Sequence, residues 1–229
     1  MTILQEGDGD MAGVPVTDRG TWMQVGEGRI FYPLDPRPEE VFIDDIGMAL
    51  SRLIRYNGLS DTWITVAQHS VQCEYMIYKD GGTFEDRLAM LMHDAAEAYI
   101  GDMIRPLKCM FPEFKKIEAN IYAAIEEALG LPTMDEKTIK HYDNLAWAWE
   151  KRDFYPSSRD WPYTPDLPAY LPTMRQWSHS KSRKMFMQTW WHLSCVIENL
   201  RTASTTWEPS DMDQDNWPDF RDSRDWRDV

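Results

Sequence analysis

Leu88-Ala-Met-Leu-Met-His93-Asp94-Ala-Ala-Glu97-Ala-Tyr-Ile-Gly101-Asp102 is the stretch on which the reading of this chain turns. Its Ala, Leu and Met residues are strong helix formers, and Gly101 supplies a stop. The pattern predicts a helix from about Phe84 to Ile100. On a helix, residues three and four apart share a face. His93 and Glu97 are four apart and Asp94 and Glu97 three apart, so all three line one wall. An imidazole and two carboxylates set among Leu and Met are costly to bury unless something satisfies them, and a metal ion does so.

Two further stretches extend this reading. Val66-Ala67-Gln68-His69-Ser70-Val71 belongs to an apolar helix expected from about Thr65 to Lys79, ended by Asp80-Gly81-Gly82. It places a second histidine near the buried side. Downstream, a helix from Asp135 to about Phe154 carries Ile139, Asp143, Ala146 and Glu150 on one face. The remaining histidines, His141, His179 and His192, are weaker candidates for chemistry.

The flanks complete an all-α plan. Ile43, Ile46, Leu50, Leu53 and Ile54 recur at helical spacing up to an Asn57-Gly58 stop. A further amphipathic helix holds Phe114, Ile117, Ile121, Ile125 and Leu129 before Gly130. Phe186, Trp190, Leu193, Ile197 and Leu200 define the last one. Five prolines between 155 and 178 exclude a continuous helix there. Residues 21–25 and 29–32 form a small hairpin across Gly26-Glu27-Gly28. This gives an N-terminal extension over 1–37, a helical domain over 38–204 and an acidic tail over 205–229. In that tail Glu208 and seven Asp face only Arg221, Arg224 and Arg227, a composition typical of solvated disorder.

Composition narrows the function. A hydrophobic fraction of 43% fits a globular chain, and a net charge of -14 repels a nucleic-acid backbone. A small anion remains acceptable where a bound cation supplies local positive charge. The start of the chain lacks a basic region followed by an apolar run, so no signal peptide is expected, and no stretch approaches a membrane span. Cys73, Cys109 and Cys195 are far apart without metal-type spacing, and read as thiols in a reducing compartment. A cytoplasmic protein is expected. Neither a G-x-x-x-x-G-K-[ST] loop nor a G-x-S-x-G elbow occurs.

Residues 43–154 resemble the HD-domain phosphohydrolases, marked by a separated His, an adjacent His-Asp and a later Asp on another helix. More closely, His93-Asp94-x-x-Glu97-x-x-x-x-Gly101-Asp102-x-x-x-Pro106-x-Lys108 is similar to the 5'-deoxynucleotidases of that superfamily, which include phage-encoded dATP triphosphohydrolases. The resemblance implies a single HD-type helical core with His69, His93, Asp94 and Asp143 as ligands of one divalent metal. It further implies removal of phosphate or triphosphate from 2'-deoxynucleotides, and a homo-oligomer. Two imidazoles and two carboxylates suit Mn²⁺, Co²⁺, Mg²⁺ or Zn²⁺. Glu97 and Asp102 then form the acid-base pair. Arg55 is the phosphate clamp, with Lys108 as a second cation, and Tyr56 contacts sugar or base. The chain departs from the bacterial deoxynucleotidases at Tyr56, where they carry Trp. Hydrolysis of a cyclic nucleotide or alarmone, and a non-catalytic binding module, are the alternatives.

Overall fold

In the computed structural model, which describes residues 17–155, 159, 161 and 163–202, the molecule is organised around one buried helix. In order, a two-stranded sheet of β1 (Met23–Gln24) and β2 (Ile30–Phe31) is followed by α1 (Ile43–Leu50), α2 (Val66–Lys79), α3 (Phe84–Leu91), α4 (Glu97–Ile100), α5 (Arg105–Lys108), α6 (Pro112–Leu129), α7 (Glu136–Phe154) and α8 (His179–Thr202). The architecture is mostly helical. No helix among the described residues is long and apolar enough to cross a membrane. The acidic tail expected over 205–229 lies outside the described residues.

Helix α2 is buried from Val66 to Ile77, and α3, α7 and α8 pack on it. Val66, Ala67 and Val71 enter one apolar cluster with α1, α3, α6 and α8. Cys73, Tyr75, Met76 and Ile77 enter another, with Leu145 and Trp149 of α7. A helix enclosed on all sides is expected to be apolar all round, yet α2 also buries Gln68, His69, Ser70, Gln72 and Glu74. Most of these have partners. Gln68 donates to the Arg175 carbonyl at 2.8 Å and accepts from Trp177 N–H at 3.0 Å. The Ser70 hydroxyl donates to the Val66 carbonyl at 3.0 Å, and Glu74 accepts from Arg87 Nε at 2.6 Å.

Helix ends follow local chemistry. The Thr65 side chain accepts from Gln68 N–H and so caps α2. Thr83 and Asp86 form a reciprocal capping box at the start of α3. Asp135 caps α7 through Lys137 and Thr138 N–H, and Gly130 closes α6 in the left-handed conformation. The hairpin forms where expected, with Met23 opposite Phe31. Its Phe31 is fully buried and stacks on Tyr99, ring centroids 3.9 Å apart, so this element is part of the main core.

Two expected helices are shorter than their periodicity suggests. The first ends at Leu50, not at Asn57-Gly58. Beyond it a turn leads to a single extended pairing at Ile54, where Arg55 N–H donates to the Ile64 carbonyl and Val66 N–H to the Leu53 carbonyl, opposite Thr65. The third ends at Leu91 and resumes only at Glu97. From there into the start of α4, the N–H groups of His93, Ala95, Glu97, Ala98 and Tyr99 bond three residues back, a tighter winding than the α-helix. Both departures occur where side chains converge on a common site.

Candidate metal centre

His69 projects from the first turn of α2. Its Nδ1 lies 2.6 Å from Glu150 Oε1, and both side chains are completely buried. Since a carboxylate only accepts, Nδ1 carries the proton and the Nε2 lone pair is left facing the opposite way. His93 is fixed in the same manner. Its Nδ1 donates to the Met90 carbonyl at 2.8 Å, a bond made possible by the tightened turn. Its Nε2 is buried and has no hydrogen-bond partner. The two rings stand 5.4 Å apart.

Carboxylates face these two lone pairs. Asp94 Oδ2 is 3.1 Å from His93 Nε2 and 3.6 Å from His69 Nε2, and Asp143 Oδ1 is 3.5 Å from His69 Nε2. The 3.1 Å approach is not aligned as a hydrogen bond, since His93 Nε2 has none. Four ligands with bonds of about 2.1 Å are spaced by ~3.4 Å in a tetrahedron and ~3.0 Å in an octahedron. The spacings of 3.1, 3.5 and 3.6 Å run from inside that range to slightly above it. Adjacent side chains diverge by about 100° in a regular helix and by about 120° at three residues per turn, yet in the turn at 92–96 the ends of the His93 and Asp94 side chains come to 3.1 Å from each other. His69, His93, Asp94 and Asp143 are therefore brought together, with the imidazoles inside and the two carboxylates, each about 20% exposed, on the open side.

The donor set fits a divalent cation of the borderline class: two oriented imidazoles, two carboxylates and room for further ligands on the open side. A second geometry shares the histidines. Cys73, one turn after His69, has Sγ 3.5 Å from His69 Nε2, and the ligand atoms of His69, Cys73 and His93 lie within 4.8 Å of one another. The histidines are common to both sets. The carboxylate set explains the orphaned His93 Nε2 through its nearest neighbour, Asp94.

Glu150 is the residue that sequence reasoning undervalued. Fully buried on α7, it accepts from His69 Nδ1, from Arg55 Nε at 3.2 Å and from the Tyr56 hydroxyl. Asp143 and Glu150 are seven residues apart, about 10 Å along the helix. That is room for an imidazole gripped at both ends, so α7 holds His69 from either side. The signal was present in the shared face of Asp143 and Glu150, but spacing does not say which carboxylate takes which nitrogen. Arg105 and Lys140, exposed residues whose side chains lie 3.6 and 3.0 Å from Asp143 Oδ2, carried no sequence signal.

Arg55 is largely buried beside the cluster, with Nη1 3.8 Å from Asp94 Oδ2. Tyr56 and Asn57 both adopt left-handed backbone, φ 59° and 54°. This unusual pair of non-glycine residues turns the chain so that the Tyr56 hydroxyl reaches Glu150. Lys108 comes to the same side but is tied to Glu118 at 2.5 Å. His179 donates to the Ser51 carbonyl and stacks on Trp63, and so serves packing rather than the centre.

The electrostatics follow from crowding. Burial opposes ionisation of Asp94, Asp143 and Glu150. Arg55 and the imidazoles outweigh it and hold all three below the usual carboxylate range, the rings by taking a second proton at the nitrogen that a cation would otherwise use: His93, His69 and Arg55 for Asp94, His69 and Arg55 for Asp143, Arg55 and His69 for Glu150. Glu97 is the exception. Burial, then the charges of Asp94 and Asp102, push it up to about 10, and its Oε2 has no hydrogen-bond partner. Asp102, held just after Gly101 at φ 80°, is raised by burial, with Arg55 opposing.

A mostly helical protein in which two buried histidines meet two carboxylates is the class that fold and geometry define. No family model matches the chain. It is 33% identical to the uncharacterized protein YfdR of Escherichia coli (strain K12) over 150 residues, which cover 65% of this chain and 82% of YfdR. The chain belongs to the YfdR family. It is also 33% identical over 124 residues to an uncharacterized protein of Rhodobacter capsulatus, covering 52% of this chain and 63% of that one.

Proposed function

We propose that the chain is an HD-type, metal-dependent phosphohydrolase that removes phosphate, or triphosphate, from 2'-deoxynucleotides. The observation that carries this reading is the meeting of His69 Nε2, His93 Nε2, Asp94 Oδ2 and Asp143 Oδ1 at 3.1–3.6 Å, with His93 Nε2 buried and unpaired. A divalent cation held by these atoms supplies Lewis acidity to a phosphate oxygen and to the attacking water. Glu150 fixes the His69 tautomer, and the Met90 carbonyl that of His93.

The remaining residues divide the work. Arg55 is anchored through Nε by Glu150, which directs its terminal nitrogens toward the phosphate. Glu97, kept neutral by burial and by Asp94 and Asp102, carries the proton that the leaving oxygen needs. As the water oxygen bonds to phosphorus and the bond to the leaving oxygen breaks, Asp102 accepts the water proton and Glu97 releases its own. A small diffusible substrate suits a chain of charge -14 better than a polymer does.

The test is phosphate release from deoxy- and ribonucleoside mono-, di- and triphosphates, each with Mn²⁺, Co²⁺, Mg²⁺ and Zn²⁺. Turnover on a deoxynucleotide, reduced about 10²–10⁴-fold in Glu97→Gln with bound metal unchanged, is expected. Inertness across the panel with metal bound refutes the proposal.

A further inference from the structure

We propose that Cys73 is an additional ligand of this centre, a thiolate closing it on its buried side. The inference rests on the metal reading above and goes beyond it, since it concerns which ions the centre prefers.

Four observations carry it. Cys73 follows His69 by four residues on α2, so both side chains leave the same helical face. Its Sγ lies 3.5 Å from His69 Nε2, between the ~3.1 Å and ~3.6 Å that separate nitrogen and sulfur ligands of one ion at octahedral and tetrahedral angles with bonds of about 2.1 and 2.3 Å. His93, whose side chain is only 5% exposed, has an Nε2 without a hydrogen-bond partner, and its ligand atom lies within 4.8 Å of those of His69 and Cys73. Finally, the donors separate by depth: His69 and Cys73 are fully buried and His93 nearly so, whereas Asp94 and Asp143 are about 20% exposed. Sulfur and nitrogen thus line the buried side, and oxygen the more exposed one.

Ligation is a simple exchange. The S–H bond breaks, its proton leaves to solvent, and the sulfur lone pair forms the bond to the ion, with no change of oxidation state. Without an ion the same thiol is placed to donate to His69 Nε2, or more distantly to the Tyr142 carbonyl at 4.0 Å. The consequence of ligation is selectivity. A thiolate favours Zn²⁺ and Co²⁺ over the harder Mg²⁺ and Mn²⁺, which two carboxylates alone would not do.

The experiment is an electronic spectrum of the full chain titrated with Co²⁺. One equivalent is expected to give ligand-field bands together with a sulfur-to-cobalt charge-transfer band in the near ultraviolet. Cys73→Ser, nearly isosteric, is expected to keep the ligand-field bands, lose the charge-transfer band and lower the Zn²⁺-over-Mn²⁺ affinity ratio at least about tenfold. Cys109→Ser and Cys195→Ser, at exposed thiols, are expected to retain the band. Wild-type protein that binds Co²⁺ without a charge-transfer band overturns the ligand role and leaves the metal centre standing, as does a band that survives in Cys73→Ser. Failure of the wild type to bind Co²⁺ or Zn²⁺ at all overturns both.

Discussion

Replacing Glu150 by Gln exchanges one oxygen for a nitrogen and should nonetheless be among the most damaging substitutions in the molecule. The carboxylate is fully buried and serves three donors: His69 Nδ1 at 2.6 Å, Arg55 Nε at 3.2 Å and the Tyr56 hydroxyl. A glutamine has one acceptor oxygen. If it accepts from His69, its amide N–H groups face Arg55 Nε, donor against donor. Arg55 then keeps only Asp94, at 3.8 Å. Removing one partner of a buried ion pair costs about 3–5 kcal/mol. For a chain of this size that is a fall in Tm of roughly 6–20 °C, at about 2–4 °C per kcal/mol. If His69 holds a metal as proposed, loosening the carboxylate that orients it should also weaken Zn²⁺ or Co²⁺ binding by about 10–100-fold. Differential scanning calorimetry of the metal-free protein and a competitive metal titration measure the two effects separately. A Glu150→Gln protein with both Tm and metal affinity unchanged would show that the Glu150 contacts are incidental, and would remove the reason given for the orientation of His69.

Two further outcomes are open to measurement. Glu74, fully buried beside Arg87, is raised by burial to about 7 from an ordinary value of 4.5, so the folded state holds its proton more tightly than the unfolded one. Stability should therefore fall as pH rises from about 4.5 to 7, by about 3 kcal/mol in all, and Glu74→Gln should flatten that part of the profile; urea unfolding at stepped pH values checks this, and a wild-type profile already flat there argues against it. Asn57 sits at φ 54°, next to Tyr56 in the same left-handed region, so Asn57→Gly should raise stability by up to about 1 kcal/mol without touching the centre. A destabilised Asn57→Gly would mean that the asparagine side chain holds the turn.

Local chemistry made much of the fold legible. The caps at Thr65, Asp135 and Gly130 sit at helix ends that the sequence already marked, and α2, α6 and α7 end within about a residue of their expected limits. These signals act within a turn of the chain and need no tertiary partner. Periodicity failed at 53–54 and at 93–97. In both places apolar spacing continues through a segment whose backbone is shaped by distant contacts: the Ile54–Thr65 pairing in one case, the convergence on His69 in the other.

His93, Asp94 and Glu97 could be placed on one helix face from residue type and spacing alone, and His69 and Asp143 could be joined to them through the resemblance to HD-domain phosphohydrolases. Their arrangement could not. That Glu150 rather than Asp143 takes His69 Nδ1 is settled across 81 residues by how α7 lies on α2. That Cys73 shares the floor of the centre follows from which face of α2 turns toward the tightened turn at 92–96. Spacing along one helix gives a face, and only the packing of helices against one another gives that face its neighbours.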